Sequence, residues 1–168
     1  MPDAPGLELI RGEIERDRPG AVLATSFDRD QAALIVDPTR VIEVLTWLRD
    51  TPGQGYRFLS SLHVADYLPA EPRFGVHYEL LNRDRVERLR VKAMLPSESP
   101  EIDSAVDLFP TANFQEREAY DFFGVVFRGH PELTRILLPE DYVGWPQRRD
   151  FPVGGEPVTF TYSEKRYG

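Results

Sequence analysis

Residues 73–95 read RFGVHYELLNRDRVERLRVKAML. From Arg73 to Leu81, the apolar Phe74, Val76, Tyr78 and Leu80 alternate with Arg73, Gly75, His77 and Glu79. From Val86 to Leu95, Leu89, Val91, Ala93 and Leu95 alternate with Arg88, Arg90 and Lys92. A period of two places each set on its own side of a strand, one side apolar. Asn82 to Arg85 is a polar turn between the two runs, so the strands are expected to pair antiparallel.

Outward from this hairpin the periodicity changes type. Upstream, Tyr56, Phe58, Ser60, Leu62 and Val64 predict a strand from Tyr56 to Val64, followed by a proline-bearing loop from Tyr67 to Pro72. Val41, Val44, Leu45 and Leu48 fall at helical spacing between Asp37-Pro38 and the breaker Pro52-Gly53. Val22, Ala24, Leu34 and Val36 suit a first hairpin turning at Asp28-Arg29-Asp30, and Leu7, Ile10 and Ile14 mark one face of a helix from Leu7 to Arg16. Pro96 to Asp103 reads as a linker. Asn113 is the expected cap of a helix from Phe114 to Phe123, with Glu116 reaching back to it and Gly124 closing the end. Hairpins with few helices predict an α+β fold, a mixed, largely antiparallel sheet with helices packed on one face.

The composition narrows function by exclusion. A formal net charge of -8 argues against nucleic acid as a partner, because phosphate binding needs a basic surface. With no cysteine among its 168 residues, the chain offers no thiolate to an iron–sulfur cluster or a zinc knuckle. The opening MPDAPG has neither the basic-then-apolar layout of a secretory signal nor an Arg-rich transit layout, so a soluble, cytoplasmic chain is expected. His63, His77 and His130 share no ligand spacing, and no metal site is expected. Glu116, Glu118 and Asp121 crowd one short helix; carboxylates so placed can serve acid–base chemistry, but acidic groups near a helix N-terminus, compensated by Arg117, are an ordinary structural feature. Arg88, Arg90 and Lys92 form a basic row of the kind that usually faces solvent.

From Arg128 to Pro152 periodicity disappears. Pro131, Pro139, Pro146 and Pro152 exclude a long helix or central strand, yet Ile136, Leu137, Leu138, Tyr142, Trp145 and Phe151 need burial. The chain is therefore expected to divide into a folded body, residues 1–127, and an extended C-terminal arm, residues 128–168, wrapped on a partner subunit with Tyr142, Trp145 and arginines as anchors.

The segment EREAYDFFGVVFRGHPELTRILLPEDYVGWPQRRDFP, Glu116 to Pro152, resembles the signature of the respiratory complex I 30 kDa subunit family, which includes the C subunit of bacterial NADH-quinone oxidoreductase. The resemblance extends upstream through Asp107-Leu108-Phe109-Pro110 and Ala112-Asn113-Phe114, and more loosely through Phe58 to Leu80 with Asp66-Tyr67 and Pro72-Arg73-Phe74. The sequence departs from the family's pattern at Thr134, where a basic residue is usual, and in stopping soon after Phe160. The resemblance implies a cofactor-free, non-catalytic, peripheral-arm subunit of a proton-pumping NADH:quinone oxidoreductase, in which FMN and Fe–S clusters sit in other subunits. It further implies packing on the 49 kDa-type (D) and cluster-bearing (B) subunits near the quinone module. Location on the cytoplasmic side of the bacterial membrane, reached only through the complex, also follows. Glu116, Arg117, Glu118, Asp121, His130, Arg135, Tyr142, Trp145, Arg148, Arg149 and Asp150 would be its signature and interface positions. Alternatives are the equivalent subunit of a plastoquinone-linked NDH complex or a membrane-bound hydrogenase, and a stand-alone enzyme built on Glu116 and His130.

Overall fold

The computed structural model describes residues 2–152. Strands β1 (Val22–Asp28), β2 (Gln31–Val36), β3 (Phe58–Asp66), β4 (Phe74–Asn82) and β5 (Glu87–Leu95) form one sheet in the order β1-β2-β5-β4-β3. β2 and β5 are parallel, and the other neighbours are antiparallel. Helices α1 (Ala4–Asp17), α2 (Val41–Asp50) and α3 (Ala112–Phe123) complete the α+β fold, with a parallel pair β6 (Glu101–Asp103) and β7 (Val126–Arg128) beside α3.

The periodicities explain the packing. Leu7, Ile10 and Ile14 of α1 and Val41, Val44, Leu45 and Leu48 of α2 share one core with Leu34, Val36, Phe74, Val76, Tyr78, Leu80, Leu89, Val91, Ala93 and Leu95 of the sheet. Burying each of these leucine, isoleucine, valine and phenylalanine side chains is worth about 1.5–3 kcal/mol. Asp3 caps α1 by accepting from the Gly6 amide at 2.8 Å, and Trp47 ties α2 to α1 by donating to Asp17 at 2.9 Å.

The structure departs from the sequence expectations at several points. In β3 a bulge between Leu59 and Ser61 moves the inward set to Leu59, Leu62 and Val64, and exposes Ser60. The end of the Pro96–Asp103 linker is β6, because β7, 25 residues later in sequence (101 to 126), supplies its hydrogen-bond partner. The N-cap of α3 is Thr111, without a side-chain bond, and not Asn113. On β4 the second face is also buried: Tyr67 lies over Gly75, where a Cβ would stand 2.7 Å from its ring, and His77 stacks on His63 at 4.9 Å. Burial lowers the pKa of His77 to about 3, with His63 and Lys92 adding to the effect.

Candidate functional site

Two carboxylates of α3 face inward. Glu116 is fully buried; it accepts from Ser104 Oγ at 2.6 Å and from the Ala105 amide at 2.7 Å, so it fastens the loop after β6 and does not form the expected capping box. Burial raises its pKa to about 7, the two bonds offsetting only part of that cost. Asp121, also fully buried, accepts from the backbone amides of Ile136, Leu137 and Leu138 at 3.1, 2.8 and 2.9 Å, and from Arg135 at 2.7 Å. Burial pushes the Asp121 pKa up, but these donors outweigh it and hold the group ionised.

Arg135 is the hub of the segment that follows β7. Its guanidinium also donates to the carbonyls of Asp121, Tyr142 and Gly144, and lies 4.8 Å from the Trp145 ring centre. Trp145 meets Tyr120 edge-on at 5.3 Å and covers Gly124. That glycine ends α3 at φ 70°, and a Cβ there would come within 2.6 Å of the indole. Arg148 donates to the Phe123 carbonyl at 2.7 Å. Arg117 donates to the Thr134 carbonyl and hydroxyl and to the Arg135 carbonyl, so Thr134 has a partner within the chain. His130 joins the start of this segment to α3 through the Asn113 carbonyl, while its Nδ1 accepts from the Glu132 amide.

A second clasp holds the far end. Arg73, almost fully buried, donates twice to Asp66 at 2.9 and 2.6 Å and twice to Asp150 at 3.0 and 2.7 Å. Asp66 also accepts from the Arg149 and Leu68 amides, and Arg149 donates to the Leu68 carbonyl at 2.6 Å. The Arg73 guanidinium beside Asp66 holds that carboxyl well below the usual range.

Residues 129–152 are thus a strap on the chain's own α3 and β3–β4 loop. Within the chain, α3 and the Asp66–Arg73 loop supply partners to Trp145, Arg135, Arg148, Arg149 and Asp150, which the sequence reading names only as signature and interface positions. Residues 153–168 of the expected arm lie outside the described residues. Of the predicted positions, Glu118 alone stands apart, exposed on α3, and Tyr142 stacks near Phe151 at 6.4 Å. Sequence reasoning did not rank Asp66 and Arg73 as site residues; two opposite charges flanking a proline-rich loop were the available signal. No group of three or more metal-ligating side chains, and no helix long and apolar enough to cross a membrane, occurs among the described residues.

Fold and site define a strapped α+β domain, one whose buried ionised groups hold its own C-terminal segment in place. Residues 34–157 match the family described as respiratory-chain NADH dehydrogenase, 30 Kd subunit, and the chain belongs to that family. It is 44% identical over 157 residues to the C subunit of NADH-quinone oxidoreductase from Roseiflexus castenholzii, covering 94% of this chain and 90% of that one. It is 46% identical over 131 residues to the corresponding C subunit from Herpetosiphon aurantiacus, covering 78% and 77% respectively. Among solved structures it resembles the trypsin-resistant fragment (1-134) of Nqo5, with a TM-score of 0.64 and 30% identity over 76% of this chain and 98% of that one. A chain of the membrane-bound sulfane sulfur reductase, an archaeal respiratory membrane complex, shares the fold at a TM-score of 0.69 and 22% identity over 95% and 90%.

Proposed function

We propose that this chain is a non-catalytic, cofactor-free subunit of the peripheral arm of an NADH:quinone oxidoreductase, with an assembly role beside the quinone module. In that reading electrons pass from NADH through FMN and Fe–S clusters held by other subunits to quinone, and the complex pumps protons. The chain packs on the 49 kDa-type and cluster-bearing subunits on the cytoplasmic side of the membrane. The observation that carries the proposal is the use made of the signature residues. Asp121, Arg135, Arg148, Arg149 and Asp150 are spent on fixing the backbone of the strap. A surface fixed in this way is pre-organised for docking, since little conformational freedom remains to be lost on association. Membership of the family supports the reading that the partners are other subunits of such a complex.

The test is affinity purification of the tagged chain from its native membranes in mild detergent. Co-purification in equal amounts with the 49 kDa-type and cluster-bearing subunits is expected, and neither flavin nor iron should be found on the chain purified alone. Recovery of the chain without those subunits, or of a cofactor on the isolated chain, would overturn the proposal.

A further inference from the structure

The two edges of the five-stranded sheet, β1 and β3, differ in what lies beside them. The β3 edge is covered by α3: the Leu62 amide donates to the Gln115 side chain, and the Leu59 carbonyl accepts from the Thr111 hydroxyl at 3.2 Å. Beside β1 no described residue bonds to the outward backbone.

The hairpin decides which groups point outward. Arg29 and Asp30 have φ of 48° and 60°, as a two-residue type I′ turn requires. Asp28 and Gln31 flank that turn as a hydrogen-bonded pair, and the pairs then alternate: Ser26–Ala33 is bonded, whereas Phe27–Ala32 and Thr25–Leu34 are not. The N–H and C=O of Thr25 and Phe27 therefore point away from β2. Both side chains lie on the α1 side of the sheet, where the Thr25 hydroxyl donates to Glu8 and Phe27 is 41% exposed. Edge strands are usually guarded by a charge, a proline or a bulge. From Leu23 to Phe27 there is neither charge nor proline, and the bulge between Val22 and Ala24 leaves Ala24 to Asp28 in regular register.

We propose that β1 is extended by a strand of another subunit, whose backbone exchanges hydrogen bonds with Thr25 and Phe27 and whose apolar side chain covers Phe27. Free N–H and C=O groups at strand spacing match an extended chain, because a helix bonds these groups within itself. A second copy of this chain fits less well. The seven residues of β1 fall short of the roughly 20–30 residues a side that a stable pair buries, and each copy carries a net charge of -8. At the turn Asp28 and Asp30 outnumber Arg29, which favours a basic residue at that end of the incoming strand. The proposal rests on the reading that the chain is held in a larger assembly, where contacts elsewhere add to a short strand pairing.

The test is amide hydrogen exchange, resolved to single residues, on the full chain alone and in the purified assembly. In the free chain the Ser26 and Asp28 amides should be protected, while those of Thr25 and Phe27 exchange freely. In the assembly Thr25 and Phe27 should slow at least hundredfold. Thr25→Pro removes one outward N–H and leaves the bonds to β2 in place. In a chain with unchanged far-UV dichroism it should lower recovery of the assembly at least tenfold relative to Thr25→Ala, which removes only the hydroxyl contact. The exchange comparison needs no variant, so it decides the point even if Thr25→Pro does not fold. Unprotected Thr25 and Phe27 amides inside an intact assembly, or equal recovery with the two variants, would overturn the strand alone. Protection of both amides in the free chain at raised concentration would assign the edge to a second copy and overturn it as well. A chain that joins no assembly overturns the subunit reading together with the strand.

Discussion

The two buried carboxylates of α3 occupy similar positions yet have opposite protonation behaviour, and the difference lies in the donors around them. Glu116 has two neutral donors and a pKa raised to about 7. Its unfolded-state pKa is the ordinary one, so its contribution to stability is full below about pH 4 and is lost as pH rises through about 7. We expect the wild type to lose about 3 kcal/mol from this group between pH 4 and 8, a loss that Glu116→Gln should abolish. Urea unfolding of both chains at the two pH values measures it, and parallel pH profiles would refute it. Asp121 has three amides and a guanidinium, and its pKa is lowered; its stabilisation is present above the ordinary carboxylate range and fades as pH falls. Asp121→Asn keeps the volume but turns an amide nitrogen toward a cluster of N–H groups. The expected cost is about 3–5 kcal/mol in unfolding free energy, because Arg135 is left buried and unpaired. Amide exchange at Ile136–Leu138 should accelerate in the same variant.

At the scale of elements, the strap depends on two end pieces that can be tested separately. The glycine closing α3 has φ 70°, and the indole of Trp145 fills the space where a side chain would begin. Gly124→Ala combines left-handed strain of about 1–2 kcal/mol with that clash, so Trp145 must move. A red shift of tryptophan emission in a Trp47→Phe background is the expected signal; unchanged emission would show that the turn absorbs the methyl group. The Asp66–Arg73–Asp150 clasp is unequal in burial, with side chains 2%, 6% and 53% exposed in that order. Arg73→Met leaves Asp66 buried without its counter-ion and should cost about 3–5 kcal/mol, while Asp150→Ala should cost about 1 kcal/mol or less. Denaturant midpoints of the two variants decide the point, and equal midpoints would contradict the asymmetry.

For the whole molecule, strap and body are one hydrogen-bonded unit over the described residues, yet most of the apolar core is made by α1, α2 and the sheet. A chain ending at Arg128 should therefore still unfold cooperatively, with a lowered midpoint. Deleting the strap exposes Asp121 to water instead of stranding it, so the truncation should be milder, bond for bond, than Arg135→Met in the full chain. Comparing the three denaturation curves tests this, and loss of cooperativity in the chain ending at Arg128 would place the strap within the folding core.

The sequence by itself determined the α+β class, both hairpins, the apolar faces of α1 and α2, the closing glycine of α3 and the family resemblance at residues 116–152. These are local facts, set by side-chain period and by turn and cap residues. It also marked Asp121, Arg135, Trp145 and Asp150 as a group, as signature and interface positions, but not which groups of the chain itself they bind. Only the tertiary structure decided their partners. Arg73 and Asp150 lie 77 positions apart, and neither propensity nor spacing carries information over that separation. The bulge in β3, the pairing of β6 with β7 and the burial of His77 under Tyr67 were likewise illegible, because each is set by what the remainder of the chain lays against it.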